Sequence, residues 1–166
     1  MSINKYKPHV WLIPEDEANR QLAIGFLNHV SVSDGAVGVR APAGGWSKVL
    51  GIFESEYLPL LRQSNHAHVV MLIDFDEVEG RRDQFEQKIP KDVSSRVFVV
   101  GSKDEPETLK HELDWSYEKI GRELAEGCHR ADLELWHHAQ LIHNASELQR
   151  MADVVKPILF KAANVP

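Results

Sequence analysis

Asp74 and Asp76 stand one residue apart, directly after the five apolar residues Val69-Val70-Met71-Leu72-Ile73. A wholly apolar run of that length reads as a strand buried on both faces, the kind found inside a parallel sheet. In open α/β sheets, ligands bind beyond the carboxyl ends of the strands, which is where this acidic pair falls. A second cluster, Glu15-Asp16-Glu17, closes another apolar run that begins at His9 and ends at Ile13. In extended chain, residues i and i+2 point to the same side, so Asp74 and Asp76 are expected to reach one ion together. Oxygen ligands at two strand ends suit a hard divalent cation, and Mg²⁺ (or Mn²⁺) is the expected guest. Asp16 is assigned to the start of the following helix, where the macrodipole favours an acid. Glu15, nearest the strand end, is assigned to the metal, with Glu17 as its alternative.

Four further groups could join this chemistry. Gly44-Gly45-Trp46-Ser47-Lys48 is a loop opening a helix, where backbone N–H groups can receive a phosphate and Lys48 adds a point charge. Its competing reading is a turn with a helix-capping serine. Arg81-Arg82, after Gly80, is either a phosphate contact or a solvated helix terminus. Ser102 ends the fourth apolar run, and Glu105 or Glu107 just beyond it is placed to complete a metal site. His137 and His138, after Trp136, and His143 lack the i, i+4 spacing that puts two imidazoles on one helical face, and no cysteine pair accompanies them. They read as packing and hydrogen-bonding groups. Cys128, the single cysteine, excludes an intrachain disulfide and reads as a small buried residue.

Positioning these groups requires alternating strands and helices. His9 to Ile13 is the first strand, followed by a helix that Asp16 can cap and that turns Leu22, Ile24, Phe26 and Leu27 to one broad side. Ser31 to Gly35 is turn-rich, Ala36 to Arg40 a short strand, and Trp46 to Arg62 has helical spacing. Val69 to Asp74 is the third strand, Gly80 to Lys88 a short polar helix, and Arg96 to Gly101 the fourth strand. Beyond Pro106 four helices are expected: Glu107 to Leu113, Ser116 to Glu126, Ala131 to Ala139, and Ser146 to Val155. The last opens on the capping-box pattern Ser146-x-x-Gln149. The fold class is therefore α/β: a Rossmann-like, mainly parallel sheet of about four strands flanked by helices, with a C-terminal helical extension. The turn from Ser102 to Pro106 divides an α/β domain, 1–105, from the helical extension, 106–166, packed on it.

Composition sets the outer bounds. A chain of 166 residues, 43% apolar and 27% charged, is ordinary for one globular domain with a real core. A net charge of −6 argues against a surface broadly coated by nucleic acid. The lack of any bilayer-length apolar run or of an apolar core in residues 1–8, with the lone cysteine, gives the expectation of a cytoplasmic protein without a membrane partner.

Two families share these motifs. Ile13-Pro14-Glu15, then Leu72-Ile73-Asp74-Phe75-Asp76 followed by Gly80-Arg81, resembles the Toprim domain, the catalytic fold of topoisomerases, bacterial primases and certain nucleases. Ser102 and Glu105 look like the serine and glutamate that follow the next strand in the nuclease branch. The resemblance implies metal-assisted phosphoryl transfer, most like a nuclease. Mg²⁺ would be held by Glu15, Asp74, Asp76 and Glu105, with Glu15 also a general acid or base and Lys48 neutralising phosphate charge. It implies nucleic acid as a partner class, beside a separate ATPase or DNA-binding protein. Less closely, Trp11 to Leu22 and Val97 to Pro106 look like parts of a response-regulator receiver, with Asp74 the phosphoacceptor and Ser102 the switch. A non-catalytic, partner-binding subunit is the third reading.

Overall fold

The computed structural model describes residues 2–33 and 35–162. Four parallel strands form one sheet in the order β2-β1-β3-β4: β1 (His9–Pro14), β2 (Val37–Val39), β3 (Ala67–Leu72) and β4 (Val97–Val100). The pairing of Val10 with Val37 and with His68, and of Val69 with Val97, sets the register. The ladder continues past the named strand ends, with Glu15 N–H on Leu72 O, Ile73 N–H on Val100 O and Phe75 N–H on Ser102 O. The α/β fold expected from the sequence is present, and the apolar runs of β3 and β4 are buried except at Leu72, which is half-buried.

Side-chain alternation splits the core across the sheet. Ile13, Val69, Met71, Ile73, Val97 and Val99 face a cluster with Val49, Phe53, Leu61 and Phe85. These come from α2 (Trp46–Ile52), the turn after it, α3 (Leu58–Gln63) and α4 (Arg81–Glu86). Val10, Val70, Phe98 and Val100 face the other way, with Leu12 and Leu72, onto Val155, Met151 and Leu159. That side is covered by α1 (Glu17–Leu27), α7 (Ala145–Val154) and α8 (Lys156–Leu159), while α6 (Tyr117–Arg130) packs on α1, with α5 (Pro106–Leu113) beside α6.

Three expectations about the helices need correction. The stretch Trp46 to Arg62 is helical, but it passes through a π-helical turn at Phe53–Tyr57. Pro59, which has no N–H to return to Ser55, follows that turn and accounts for the slipped register. The segment Ala131 to Ala139 is not a helix: only a 3₁₀ turn, Leu135–His137, forms there. Ala131 takes the left-handed conformation (φ 57°) that ends α6, and the chain then folds back to hydrogen-bond Asp132 N–H to Gly127 O. Ser146 is not a helix cap either, because α7 already begins at Ala145 behind Asn144.

Asn144 has another task. Its Oδ1 accepts the Gly101 N–H at 3.2 Å, and Glu147 Oε2 accepts the Val99 N–H at 2.9 Å. Two side chains from the α7 region thus satisfy the outer edge of β4, which would otherwise expose unpaired amides.

Candidate functional site

The site is built from β1 and β3, whose carboxyl ends meet through a side chain. Glu15 Oε2 accepts the backbone N–H of Asp74 at 2.8 Å. Both carboxylates are buried, Glu15 9% and Asp74 7% exposed, just beyond the carboxyl ends of the paired strands β1 and β3. Asp16 caps α1 as expected, with Oδ1 accepting the Asn19 N–H at 2.9 Å. Asn19 in turn spans the gap: its Nδ2 donates to Asp16 Oδ1 at 3.1 Å and to Asp74 Oδ1 at 2.8 Å. The α1 cap therefore orients the Asp74 carboxyl.

Burial and mutual repulsion raise the pKa of Asp74 and of Glu15. Asp74 is pushed up to about 7, first by desolvation and then by Asp16, Glu15 and Asp76, against the opposing Asn19 hydrogen bond. Glu15 is also raised, mainly by burial, with Asp76 and Asp16 adding to it and the Asp74 amide and Arg81 opposing. Acids crowded so that they resist ionisation are a recurrent property of sites that take a cation or do acid–base work.

Asp76 departs from the expected geometry. The chain does not stay extended after Asp74: Asp76 and Glu77 both take left-handed backbone, φ 51° and 53°. This conformation is uncommon for residues other than glycine and persists only where surroundings enforce it. Here Asp76 N–H donates to Asp104 O and Glu77 N–H to Lys103 O. Asp76 consequently turns outward, 45% exposed, with its carboxylate 3.6 Å from Arg81 Nη1. Asp74 and Asp76 therefore do not share a face as expected, because the backbone leaves the extended conformation at Asp76.

Arg81 is the most unusual group here. It is only 7% exposed, and neither Nε nor Nη1 has a hydrogen-bond partner among the described residues. The 3.6 Å approach to Asp76 is an ion-pair distance, too long for a hydrogen bond. The guanidinium is held by stacking on Trp46, 4.2 Å from the ring centroid, and Trp46 is steadied in turn by Phe85. It is not a solvated helix terminus. Leaving buried charged donors unpaired is costly, which sets Arg81 apart from the other arginines among the described residues.

The remaining sequence candidates are distributed around this centre. Loop residues Ala43 and Gly44 run beside β1, with their N–H groups on Pro14 O and Glu15 O. The Gly44 amide is thus spent on the chain and does not face a ligand. Gly44 and Gly45 have φ of 91° and 143°, and Gly45 precedes α2 without a side-chain cap, so Ser47 does not cap the helix. Lys48 is exposed and folds back over Gly44. Glu17 lies on the outer face of α1, bonded to Arg20 at 3.1 Å, and does not join Glu15. Glu105 is exposed at the start of α5, with Glu107 and Asp104 as its nearest acidic neighbours. Ser102 is buried beside Phe75, its Oγ without a partner among the described residues.

Sequence reasoning does not single out Asn19 or Trp46. Asn19 has a signal, since Asp16-x-x-Asn19 has the spacing of a helix cap and its third residue. Trp46 has none, because its value depends on a cation from a distant segment. Among the described residues, no three His, Cys, Asp or Glu side chains converge in this conformation as a ready-made metal cage. The histidines behave as packing groups: His143 Nε2 bonds Gly101 O at 2.9 Å, and His138 lies 3.3 Å from Glu112. No described helix is long and apolar enough to cross a membrane. Comparison with known proteins found no matching family model, curated protein or solved structure.

Proposed function

We propose that this chain carries out Mg²⁺- or Mn²⁺-dependent phosphoryl transfer of the Toprim type, most like a nuclease, in a cytoplasmic setting. The observation that carries the reading is the juxtaposition of two buried strand-end carboxylates with a buried arginine whose donors are unspent. Carboxylates alone would suit many roles. Carboxylates beside a guanidinium fork suit a phosphate accompanied by a cation.

The donor set fits Mg²⁺ better than it fits a metal that demands a full protein cage. Mg²⁺ keeps several waters and is bound by one or two carboxylates together with substrate phosphate oxygens. Glu15 and Asp74 each have one oxygen engaged within the chain, leaving Glu15 Oε1 and Asp74 Oδ2 to face an ion. Asp76, exposed and only loosely paired, can rotate from Arg81 to join them when a phosphate takes its place. When bound, the cation would polarise a phosphodiester and stabilise negative charge on the departing oxygen. Arg81 would bind a non-bridging phosphate oxygen, and Lys48 would add positive charge from the Gly44-Gly45 loop. As the alternative to holding the cation, Glu15, its pKa raised by burial, would take the proton of a water that attacks phosphorus as the P–O ester bond breaks.

The test is cleavage of single- and double-stranded DNA, RNA and a small phosphodiester with Mg²⁺ or Mn²⁺. Metal-dependent cleavage abolished by Asp74→Ala and reduced at least tenfold by Asp76→Asn supports the reading; no cleavage of any substrate overturns it.

A receiver domain is the second reading, favoured by one observation. The strand order, acids after β1, Asp74 after β3 and Ser102 after β4 follow the doubly wound plan whose switch point lies between β1 and β3. Against it, the place beside β4 where a fifth strand would stand is occupied by the α7 region. Incorporation of phosphate at Asp74 from acetyl phosphate would select the receiver.

A further inference from the structure

A cavity of about 540 Å³ runs between the second face of the sheet and its helices, away from Arg81. Its floor is Val10, Leu12, Val70 and Leu72, its walls come from α1, α6 and α7, and Phe160 closes one end. That volume is in the range of small-molecule sites rather than packing defects. Asn19 and Phe26 both line it and lie seven residues apart on α1, so it extends roughly 10 Å along that helix at 1.5 Å per residue.

Two features make it more than an apolar gap. In a chain with 25 acidic residues, no Asp or Glu among the described residues lines this cavity, and Lys156 is its one described lysine or arginine. At the end marked by Asn19 and Gly101, Ser102, only 3% exposed, contributes a hydroxyl that has no partner among the described residues. Lys156 belongs to α8, the same turn of chain that carries Leu159 and Phe160. Phe160 packs on Phe26, at the opposite end of α1 from Asn19. The cavity is thus apolar along its length, positive at one end and hydrogen-bonding at the other.

From this we infer that the cavity binds a medium-length aliphatic carboxylate, with its carboxylate at Lys156 and an oxygen on its far end at Ser102. Charge complementarity selects an anion over a neutral or cationic lipid, and the buried hydroxyl selects a chain ending in oxygen over a plain one. Met151, Leu124 and Leu22 would contact the methylenes.

Titration calorimetry of the full chain tests this, with the quenching of Trp136, which lines the cavity, as a second readout. Decanoate is expected to saturate one site and 10-hydroxydecanoate to bind several-fold tighter. Lys156→Glu should weaken both at least tenfold, and Lys156→Arg should restore them. Ser102→Ala should remove the difference between the two acids while keeping the tighter-than-decanol affinity. Ala152→Trp, at an exposed position on the α7 wall, should abolish binding and leave the melting temperature unchanged. Absence of saturable decanoate binding, equal binding by Lys156→Glu, or decanol binding as tightly as decanoate overturns the proposal. Equal affinity for the two acids overturns the role of Ser102. Concentration-dependent dimerisation that Ala152→Trp blocks and decanoate does not would place a second copy there instead, and would also overturn it.

Discussion

Asp74 sits where its charge is least welcome, and that makes a stability measurement informative about function. Its pKa rises from 3.8 to about 7, and each pH unit of such a displacement is worth about 1.4 kcal/mol. Asn keeps an acceptor for Asn19 Nδ2 while removing the charge, so Asp74→Asn is expected to raise stability at pH 8 by about 1–3 kcal/mol without metal. Urea unfolding checks this, and a loss of stability would show that the carboxylate is structurally required. Arg81 offers a complementary test. Arg81→Met keeps much of the contact with Trp46 but removes the unspent donors. Binding of a phosphodiester should fall roughly ten- to hundredfold, as charge-assisted hydrogen bonds contribute about 1.5–3 kcal/mol; unchanged binding would remove Arg81 from the site. The acids at both strand ends were legible in the sequence because a charge is costly at the end of a buried apolar run unless something there calls for it. The burial of Arg81 was not, since its neighbours Trp46 and Asp76 reach it only through the fold.

Glycine governs how closely the helical layer approaches, and this is an element-scale property no local pattern announces. A Cβ at Gly121 of α6 would lie 2.1 Å from Leu22 O of α1, and one at Gly25 of α1 would lie 2.3 Å from Glu118 O. The two helices meet backbone to backbone, and α1 carries the Asp16–Asn19 cap that orients Asp74. Gly121→Ala is expected to cost about 3 kcal/mol or more by prying α6 from α1. Gly51→Ala, in α2 with open space around it, should instead stabilise by about 0.5–1 kcal/mol through helix propensity. Thermal melts of the two variants should therefore shift in opposite directions, and a shared sign would contradict the packing described. The alternating strands and helices of the first hundred residues follow from periodicity and were readable. The segment 131–139 misled because apolar spacing alone cannot register the left-handed Ala131 that turns the chain back onto Gly127. The β4 edge was equally hidden, since Asn144 and Glu147 act as substitutes for a strand from within a helical region.

Across the whole molecule, the acidic cluster predicts an unusual dependence of stability on pH. An acid whose folded pKa lies above its unfolded value keeps its proton only in the folded chain, so its contribution falls as pH rises through that window. For Asp74 the window runs from about 4 to about 7, and Glu15, also raised, adds in the same direction. A cation that binds the ionised carboxylates reverses this loss, because a ligand specific to the folded state stabilises it by mass action. The central claim, an Asp74-centred cation site, is tested most directly by titrating Mg²⁺ and Mn²⁺ into the wild type and Asp74→Asn while following thermal unfolding at pH 8 and pH 5.5. The expected result is a metal-dependent rise in melting temperature for the wild type that is larger at pH 8, shrinks at pH 5.5 and is absent in Asp74→Asn. No metal effect on the wild type at either pH, or an equal effect on both proteins, would contradict it.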